Sequence, residues 1–307
     1  MTAAAADFDG DGWVDLYVAC DSTAAILYHN NTDGTFSDMA VRSGAAYDPL
    51  GNAQAGMGLA VADFNRDGRL DLLKTHFADD IPALYRNLGS GLFEDVAVSA
   101  GLGVENRHVE WGAGMPDLDN DGWPDLFYVT GNVYPEIESV MPQYPHRGPR
   151  IVFRNRAGRF LQATDASGPA PRAARSSRGA AFGDFDDDGD LDVLVMNMNE
   201  PPSLLRNDYK GANGWLAVRL VGKRSNRMGL GATIVVASGG SRQAQAVLSQ
   251  SSYYSHDDLR LHFGLGMHEK AEEIEVRWPS GQVDVLRDVA GRRVVTIVEG
   301  SAANTNR

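Results

Sequence analysis

The 307-residue sequence predicts an all-β protein: β-propeller-type blades from four repeats over residues 1–207, then a β-sandwich-like domain over 213–300. Three observations lead there. An Asp-rich motif begins at Asp7, Asp63, Asp117 and Asp184, so it recurs at spacings of 56, 54 and 67 residues. Each copy is followed by short apolar runs broken by Asn and Gly, the pattern of strand, tight turn, strand. From residue 213 onward, apolar and polar residues alternate in six or seven short runs, such as "WLAVRLV", "TIVVA" and "EIEVRW", which is the signature of half-buried strands.

The repeat extends beyond the motif. The four motif segments are "AADFDGDGWVDLYV", "VADFNRDGRLDLLK", "MPDLDNDGWPDLFY" and "FGDFDDDGDLDVLV". Glycines precede the last three, in "GMGLAVAD", "WGAGMPD" and "RGAAFGD". A second block follows, "LYHNNTDGTF", "LYRNLGSGLF" and "VFRNRAGRF", shortened in the fourth unit to "LLRND". Each unit therefore predicts about four short strands, the content of a propeller blade. Four units predict a partial propeller. The third carries an insertion over 130–150, and a linker near 208–214 precedes the C-terminal part.

The motif is D-x-[DN]-x-D-G-x-x-D, and its chemistry is that of a hard cation. Ca²⁺ takes six to eight oxygen ligands. Carboxylates at positions 1, 3 and 5 converge if the loop curls, the Gly at position 6 permits the sharp turn, position 7 offers its carbonyl, and position 9 closes the shell. The predicted ligands are Asp7, Asp9, Asp11, Trp13 and Asp15, then Asp63, Asn65, Asp67, Arg69 and Asp71. The third and fourth sets are Asp117, Asp119, Asp121, Trp123 and Asp125, and Asp184, Asp186, Asp188, Asp190 and Asp192. Trp13, Arg69, Trp123 and Asp190 hold position 7, whose side chain is free to vary. Up to four Ca²⁺ ions are expected. The second loop is the weakest, with Asn65 in place of a carboxylate and Arg69 beside it. Position 12, a bidentate Glu in helix–loop–helix sites, holds Val18, Lys74, Tyr128 and Val195, and the flanks read as strands, so those sites are excluded.

Charge and composition narrow the function. The net charge of −13 disfavours nucleic acid and anionic membranes. Cys20 is the single cysteine, which excludes an intrachain disulfide and thiolate zinc sites. No apolar run is long enough to span a bilayer. The start, "MTAAAADFDGDGW", runs straight into the first motif, so a targeting segment and further repeats upstream of residue 1 are the expectation.

Catalytic patterns are absent. There is no G-x-S-x-G elbow or phosphate loop, and Cys20 has no catalytic setting. "SSYYSHDD" (251–258) brings Ser, His and Asp too close in sequence for a triad and reads as a loop. "KRSNR" (223–227) reads as a solvated basic turn, with an acidic partner as its functional alternative. "HVE" (108–110) reads as an edge or buried pair before it reads as ligands. Glu110, Glu136 and Glu138 are carboxylates outside the loops that no pattern selects, and Trp111, Trp215 and Trp278 read as core.

The four motifs with their glycines resemble FG-GAP repeats of the integrin α type. "NGWLAVRLVGKRSNRMGLGATIVV" (213–236), "RLHFGLG" (260–266) and "IEVRWPSGQVDVL" (274–286) resemble the ASPIC/UnbV domain of the cartilage acidic protein family and its bacterial relatives, as do "GNVYPE" (131–136) and "RGAAFGDFDDDGDLDVLVMN" (178–197). The resemblance implies a Ca²⁺-binding β-propeller located outside the cell, at its surface or in the periplasm. It implies a non-catalytic adhesion or interaction role with a protein or glycan partner. Its alternative implication is an accessory protein or enzyme of bacterial secondary-metabolite biosynthesis. Integrin-type propellers have seven blades where this chain shows four motifs, and Asn132 stands where relatives often have His.

Overall fold

The computed structural model describes residues 1–301, and the all-β expectation holds. The first sheet contains β1 (Thr2–Ala6), β2 (Asp15–Ala19), β3 (Ile26–Asn30) and β4 (Phe36–Asp38), each paired antiparallel with the next. The second repeats this with β5 (Leu59–Ala62), β6 (Asp71–Lys74), β7 (Ala83–Gly89) and β8 (Leu92–Asp95). The third has β9 (Glu110–Gly114), β10 (Leu126–Thr130), β11 (Arg150–Arg156) and β12 (Arg159–Gln162). The fourth blade stops at three strands, β13 (Ser177–Gly183), β14 (Asp192–Asn197) and β15 (Ser203–Leu205).

The blades stand side by side in chain order, with β1 against β5, β5 against β9 and β9 against β13. The packing follows from the period of two along a strand. Tyr17 of β2, Leu73 of β6 and Phe127 of β10 each face the following blade and are buried. Their equivalent in β14, Leu194, is 44% exposed, because no fifth blade covers it among the described residues. The inner strands approach so closely that some positions exclude a side chain. A Cβ on Gly58 would lie 2.2 Å from the Trp111 carbonyl oxygen, and one on Gly112 2.8 Å from the Ala180 nitrogen. That is the physical reason for the glycines preceding the motifs.

The C-terminal domain has seven strands in two sheets. One sheet orders β19 (Leu261–Gly266), β16 (Gly214–Val221) and β22 (Arg293–Val298). The other orders β18 (Ser241–Ala246), β17 (Thr233–Ser238), β20 (Lys270–Arg277) and β21 (Val283–Ala290). Leu216, Val218 and Phe263 from the first sheet share one core with Ile234, Ile274 and Val276 from the second, so the two sheets form a sandwich.

The segment read as a plain loop, 251–258, is a finger inserted between the inner strands. Ser252 exchanges both backbone hydrogen bonds with Leu59 of β5, at 2.8 and 3.0 Å. The Tyr253 ring lies 5.0 Å from that of Trp111 in β9, and Asp257 Oδ1 accepts from the Phe182 amide of β13 at 3.0 Å. One finger thus ties three blades together.

Candidate metal centres

Each Asp loop connects the first two strands of its blade and curls around its first aspartate. The Asp7 carboxylate accepts from the amides of Gly10 and Gly12 at 2.7 and 2.9 Å. Asp63 takes those of Asp67 and Gly68, Asp117 those of Asp121 and Gly122, and Asp184 those of Asp188 and Gly189. The position-6 glycines all have positive φ, from +86° at Gly68 to +94° at Gly189, as the motif requires. Position 4 is also left-handed, at Gly10, Arg66, Asn120 and Asp187. The sequence signal was its Gly, Asn and Asp content, which the motif pattern had left as a free position.

Position 9 has a second task. Asp125 Oδ1 accepts from the Asn155 amide at 2.8 Å and Oδ2 from the Leu118 amide at 3.3 Å. Asp15, Asp71 and Asp192 do the same with Asn30, Asn87 and Asn207 and with the position-2 amides. The ninth aspartate therefore pins the loop to the third strand of its blade. The Asn then reaches the preceding blade. Asn87 Nδ2 donates to the Phe8 carbonyl at 2.7 Å, Asn155 to Phe64 at 2.8 Å and Asn207 to Leu118 at 2.7 Å.

Carboxylate oxygens converge within 4.8 Å in Asp7–Asp9–Asp11, in Asp117–Asp119–Asp125 and in Asp184–Asp186–Asp192. In the second loop Asn65 interrupts the set, Arg69 pairs with Asp67 at 2.5 Å, and no such cluster forms among the described residues. Burial above all, with repulsion from neighbouring aspartates, lifts Asp71 and Asp125 to about 8, Asp117 to about 7, and Asp15 and Asp63 to about 6. These are groups in want of positive charge.

Two arginines of the chain supply part of it, and a histidine stands in the same place. His29, Arg154 and Arg206 occupy one equivalent position of the third strand and approach the position-3 carboxylates Asp9, Asp119 and Asp186. In blade 2, where position 3 is Asn65, the equivalent Arg86 turns to Glu94. His29 Nδ1 also lies 3.3 Å from Asp15, so His29, Asp9 and Asp15 form a further group of ligand atoms within 4.8 Å. Sequence reasoning missed this residue; the shared Asn of "LYHN", "LYRN" and "VFRN" was the available signal. The compensation is incomplete. Asp119 Oδ1 is buried with no partner, and a buried carboxylate oxygen without one is costly. Oxygen-only donors at tight spacing, with an orphaned oxygen among them, fit Ca²⁺.

The C-terminal domain covers the loop face. The Ala244 amide donates to Asp63 Oδ2 at 3.2 Å, and the Gly266 amide to the Asn120 carbonyl at 2.8 Å. His262 Nε2 meets the Gly189 carbonyl at 3.0 Å, and the Arg260 guanidinium donates to Asp187 and to the Asp184 carbonyl. Trp215, read as core, is half-buried at this interface and stacks on His262 at 5.8 Å. Trp111 and Trp278 are buried as expected.

Other sequence features resolve without chemistry. The turn at 223–225 wraps its backbone amides around the Glu299 carboxylate at 2.6–2.9 Å, while the side chains of Lys223, Arg224 and Arg227 stay exposed. His108 pairs with Glu105 at 3.3 Å, while Glu110 is fully buried beside His76. Glu138 accepts the His146 amide within the 130–150 insertion, and Glu136 ends before a four-residue helix, Ile137–Val140.

Comparison with known proteins agrees with this architecture. The FG-GAP-like repeat model matches residues 7–73 and 117–195, and the ASPIC and UnbV model matches 222–304. The chain belongs to the family of FG-GAP-like repeat proteins with an ASPIC/UnbV domain, the cartilage acidic protein family. It is 29% identical over 293 residues to cartilage acidic protein 1 of Homo sapiens, covering 93% of this chain and 41% of that protein. Against the Xenopus tropicalis protein it is 28% identical, covering 93% and 42%. The chain therefore spans about two fifths of the length of these relatives. A solved structure described as the basis of specific recognition of non-reducing terminal N-acetylglucosamine by an Agrocybe aegerita lectin overlays 66% of this chain and 51% of that chain, at 19% identity and a TM-score of 0.34.

Proposed function

We infer that the chain is a calcium-stapled, non-catalytic interaction module that works outside the cell. The observation that carries this reading is the repeated convergence of aspartates, fully buried in the third loop with the orphaned Asp119 Oδ1, set on a face that the C-terminal domain closes. The residues that would hold the ion are the carboxylates at positions 1, 3, 5 and 9 of each loop, with the carbonyls of Trp13, Arg69, Trp123 and Asp190. The ion supplies positive charge and oxygen coordination, and no bond-making chemistry. What the chain itself does is hold the loops curled, pin them to the third strand through position 9, and join neighbouring blades through Asn87, Asn155 and Asn207.

An extracellular setting follows from the kinship with cartilage acidic proteins, and no helix among the described residues is long and apolar enough to cross a membrane. With the loop face covered by the C-terminal domain, partner binding falls to the surfaces that domain leaves free, among them the opposite face. There the 130–150 insertion exposes Tyr134 and Val140, side chains suited to a protein or glycan surface.

Affinities of ~10⁻⁴ to 10⁻³ M are expected, since no bidentate Glu closes the loops. At 1 mM Ca²⁺ and a Kd of ~10⁻⁴ M, each occupied site adds about 1.4 kcal/mol to stability. Thermal unfolding with Ca²⁺ and then with excess chelator tests the reading. A melting temperature that rises by several degrees with Ca²⁺ and returns with chelator supports it, and identical curves contradict it.

A further inference from the structure

Among the described residues the fourth blade lacks the outer strand that the other three have, and the place for that strand is built. In blades 2 and 3 the fourth strand carries a phenylalanine, Phe93 in β8 and Phe160 in β12. Each packs on the position-2 aromatic of the preceding Asp loop, with ring centroids 6.1 Å apart for Phe8–Phe93 and 5.9 Å for Phe64–Phe160. The carbonyl of that phenylalanine presses against a left-handed glycine of the preceding blade. A Cβ on Gly44 would lie 2.6 Å from the Phe93 oxygen, and one on Gly101 2.4 Å from the Phe160 oxygen.

The third member of this series is Gly168. It follows Phe160 by eight residues, as Gly44 follows Phe36 and Gly101 follows Phe93, and its φ of +88° matches their +85° and +103°. A Cβ on Gly168 would meet nothing within 4 Å. Leu118, the third-loop equivalent of the buried Phe8 and Phe64, is only half-buried. A groove of about 240 Å³ is lined by Leu118, Val152 and Val193 and by Ser167, the neighbour of Gly168. It is continuous with the packed interface of blades 3 and 4, and the outer edge of β15 has no partner strand among the described residues.

We propose that this groove is a docking site for an extended strand of a partner protein bearing a phenylalanine flanked by acidic residues. Such a strand adds to the open edge of β15 through backbone hydrogen bonds and seats its aromatic ring on Leu118, a β-augmentation. Charge selects the flanks. The groove wall carries Arg154 and Arg206 and no carboxylate; Arg154 is held by Asp119 and Asp125, while the exposed Arg206 pairs with Asp208 at 2.8 Å, so an acidic flank competes with Asp208 for Arg206. In blade 2 the residue equivalent to Arg206, Arg86, pairs across the strands with Glu94, which directly follows Phe93. The proposal rests on the reading of the chain as an interaction module and gives its partner a chemistry.

The chain's own fourth-strand sequence is the probe. A fluorescent peptide of residues 90–96, SGLFEDV, is titrated into the full chain in 1 mM Ca²⁺ with polarisation as the readout. Saturable binding is expected, weakened at least tenfold by Phe93→Ala in the peptide and by Gly168→Ala or Arg206→Glu in the chain. Gly168→Ala obstructs the seat of the incoming carbonyl. Gly240→Ala, at φ +77° in an open turn, carries the same backbone strain away from the groove and serves as the control. Absence of saturable binding to a chain whose melting temperature responds to Ca²⁺ overturns the docking site while leaving the calcium reading intact. So does binding that Gly168→Ala leaves unchanged. Self-association that excludes the peptide overturns the partner assignment in favour of a second copy.

Discussion

Truncating Asn155 to alanine tests how the blades are joined. Asn155 is fully buried. Its Nδ2 donates to the Phe64 carbonyl in the preceding blade at 2.8 Å and to the Pro124 carbonyl at 2.9 Å, and its Oδ1 accepts from the Gly158 amide at 2.8 Å. Asn155→Ala leaves two carbonyls and one amide without partners. Each buried group left unsatisfied costs ~1–3 kcal/mol, and the half-buried Gly158 amide regains water, so a loss of about 3 kcal/mol is expected. Urea unfolding in Ca²⁺ measures it, with the slope of the transition checked for constancy. Asn87→Ala should cost as much, because Asn87 makes the same set of bonds to Phe8, Leu70 and Gly89. Asn207→Ala should cost clearly less, because Asn207 is only half-buried. A loss below ~1 kcal/mol at Asn155, or equal losses at all three positions, would refute the argument that these side chains clasp neighbouring blades.

Other outcomes follow from separate parts of the molecule. Burial alone would raise the Glu299 carboxyl, but hydrogen bonds from the Ser280 hydroxyl and the amides of Ser225, Lys223 and Arg224 bring it down to about 2. Its stabilisation is therefore present above the ordinary glutamate range near 4.5 and lost as pH falls from there towards 2. After allowance for screening near the surface it amounts to ~1–2 kcal/mol, so Glu299→Gln should flatten the acid limb of a stability–pH profile. Gly58→Ala forces a Cβ to 2.2 Å from the Trp111 carbonyl, and calorimetry should show a loss of ~2–3 kcal/mol. Replacing residues 250–257 by two glycines removes the bonds to Leu59 and Phe182. Unfolding should then split into two transitions, one for each domain, where the parent chain shows stronger coupling.

Much of this was legible in the sequence because the repeat is local. A nine-residue motif contains its own turn geometry, and position 6 is glycine in all four copies for a reason that lies within the loop. The strand pattern around it fixes which residues face the next blade, as Tyr17, Leu73 and Phe127 do. What escaped was set by contacts distant in the chain. Nothing near Ser252 announces that it will pair with Leu59, almost two hundred residues earlier. Trp215 reads as core from its own strand, and its half-buried place against His262 comes from the docking of two domains. His29 approaches the first Asp loop from another strand, visible only once "LYHN" is aligned with "LYRN" and "VFRN". Asp187 and Asn120 have left-handed backbones that a free position in the motif did not require. The fourth blade's missing strand was visible as the shortened "LLRND" block, but the groove depends on Leu118 of blade 3 lining one cavity with Val193 and Leu205 of blade 4.

The account stands on the Asp loops as calcium sites, and calorimetric titration of Ca²⁺ into chelator-treated chain, with Mg²⁺ as control, tests it most directly. Three or four sites that take Ca²⁺ and not Mg²⁺ are expected, with the second loop the weakest. No heat of Ca²⁺ binding to the folded chain would contradict the account and leave the loops as turns whose charge is met by Arg154 and Arg206.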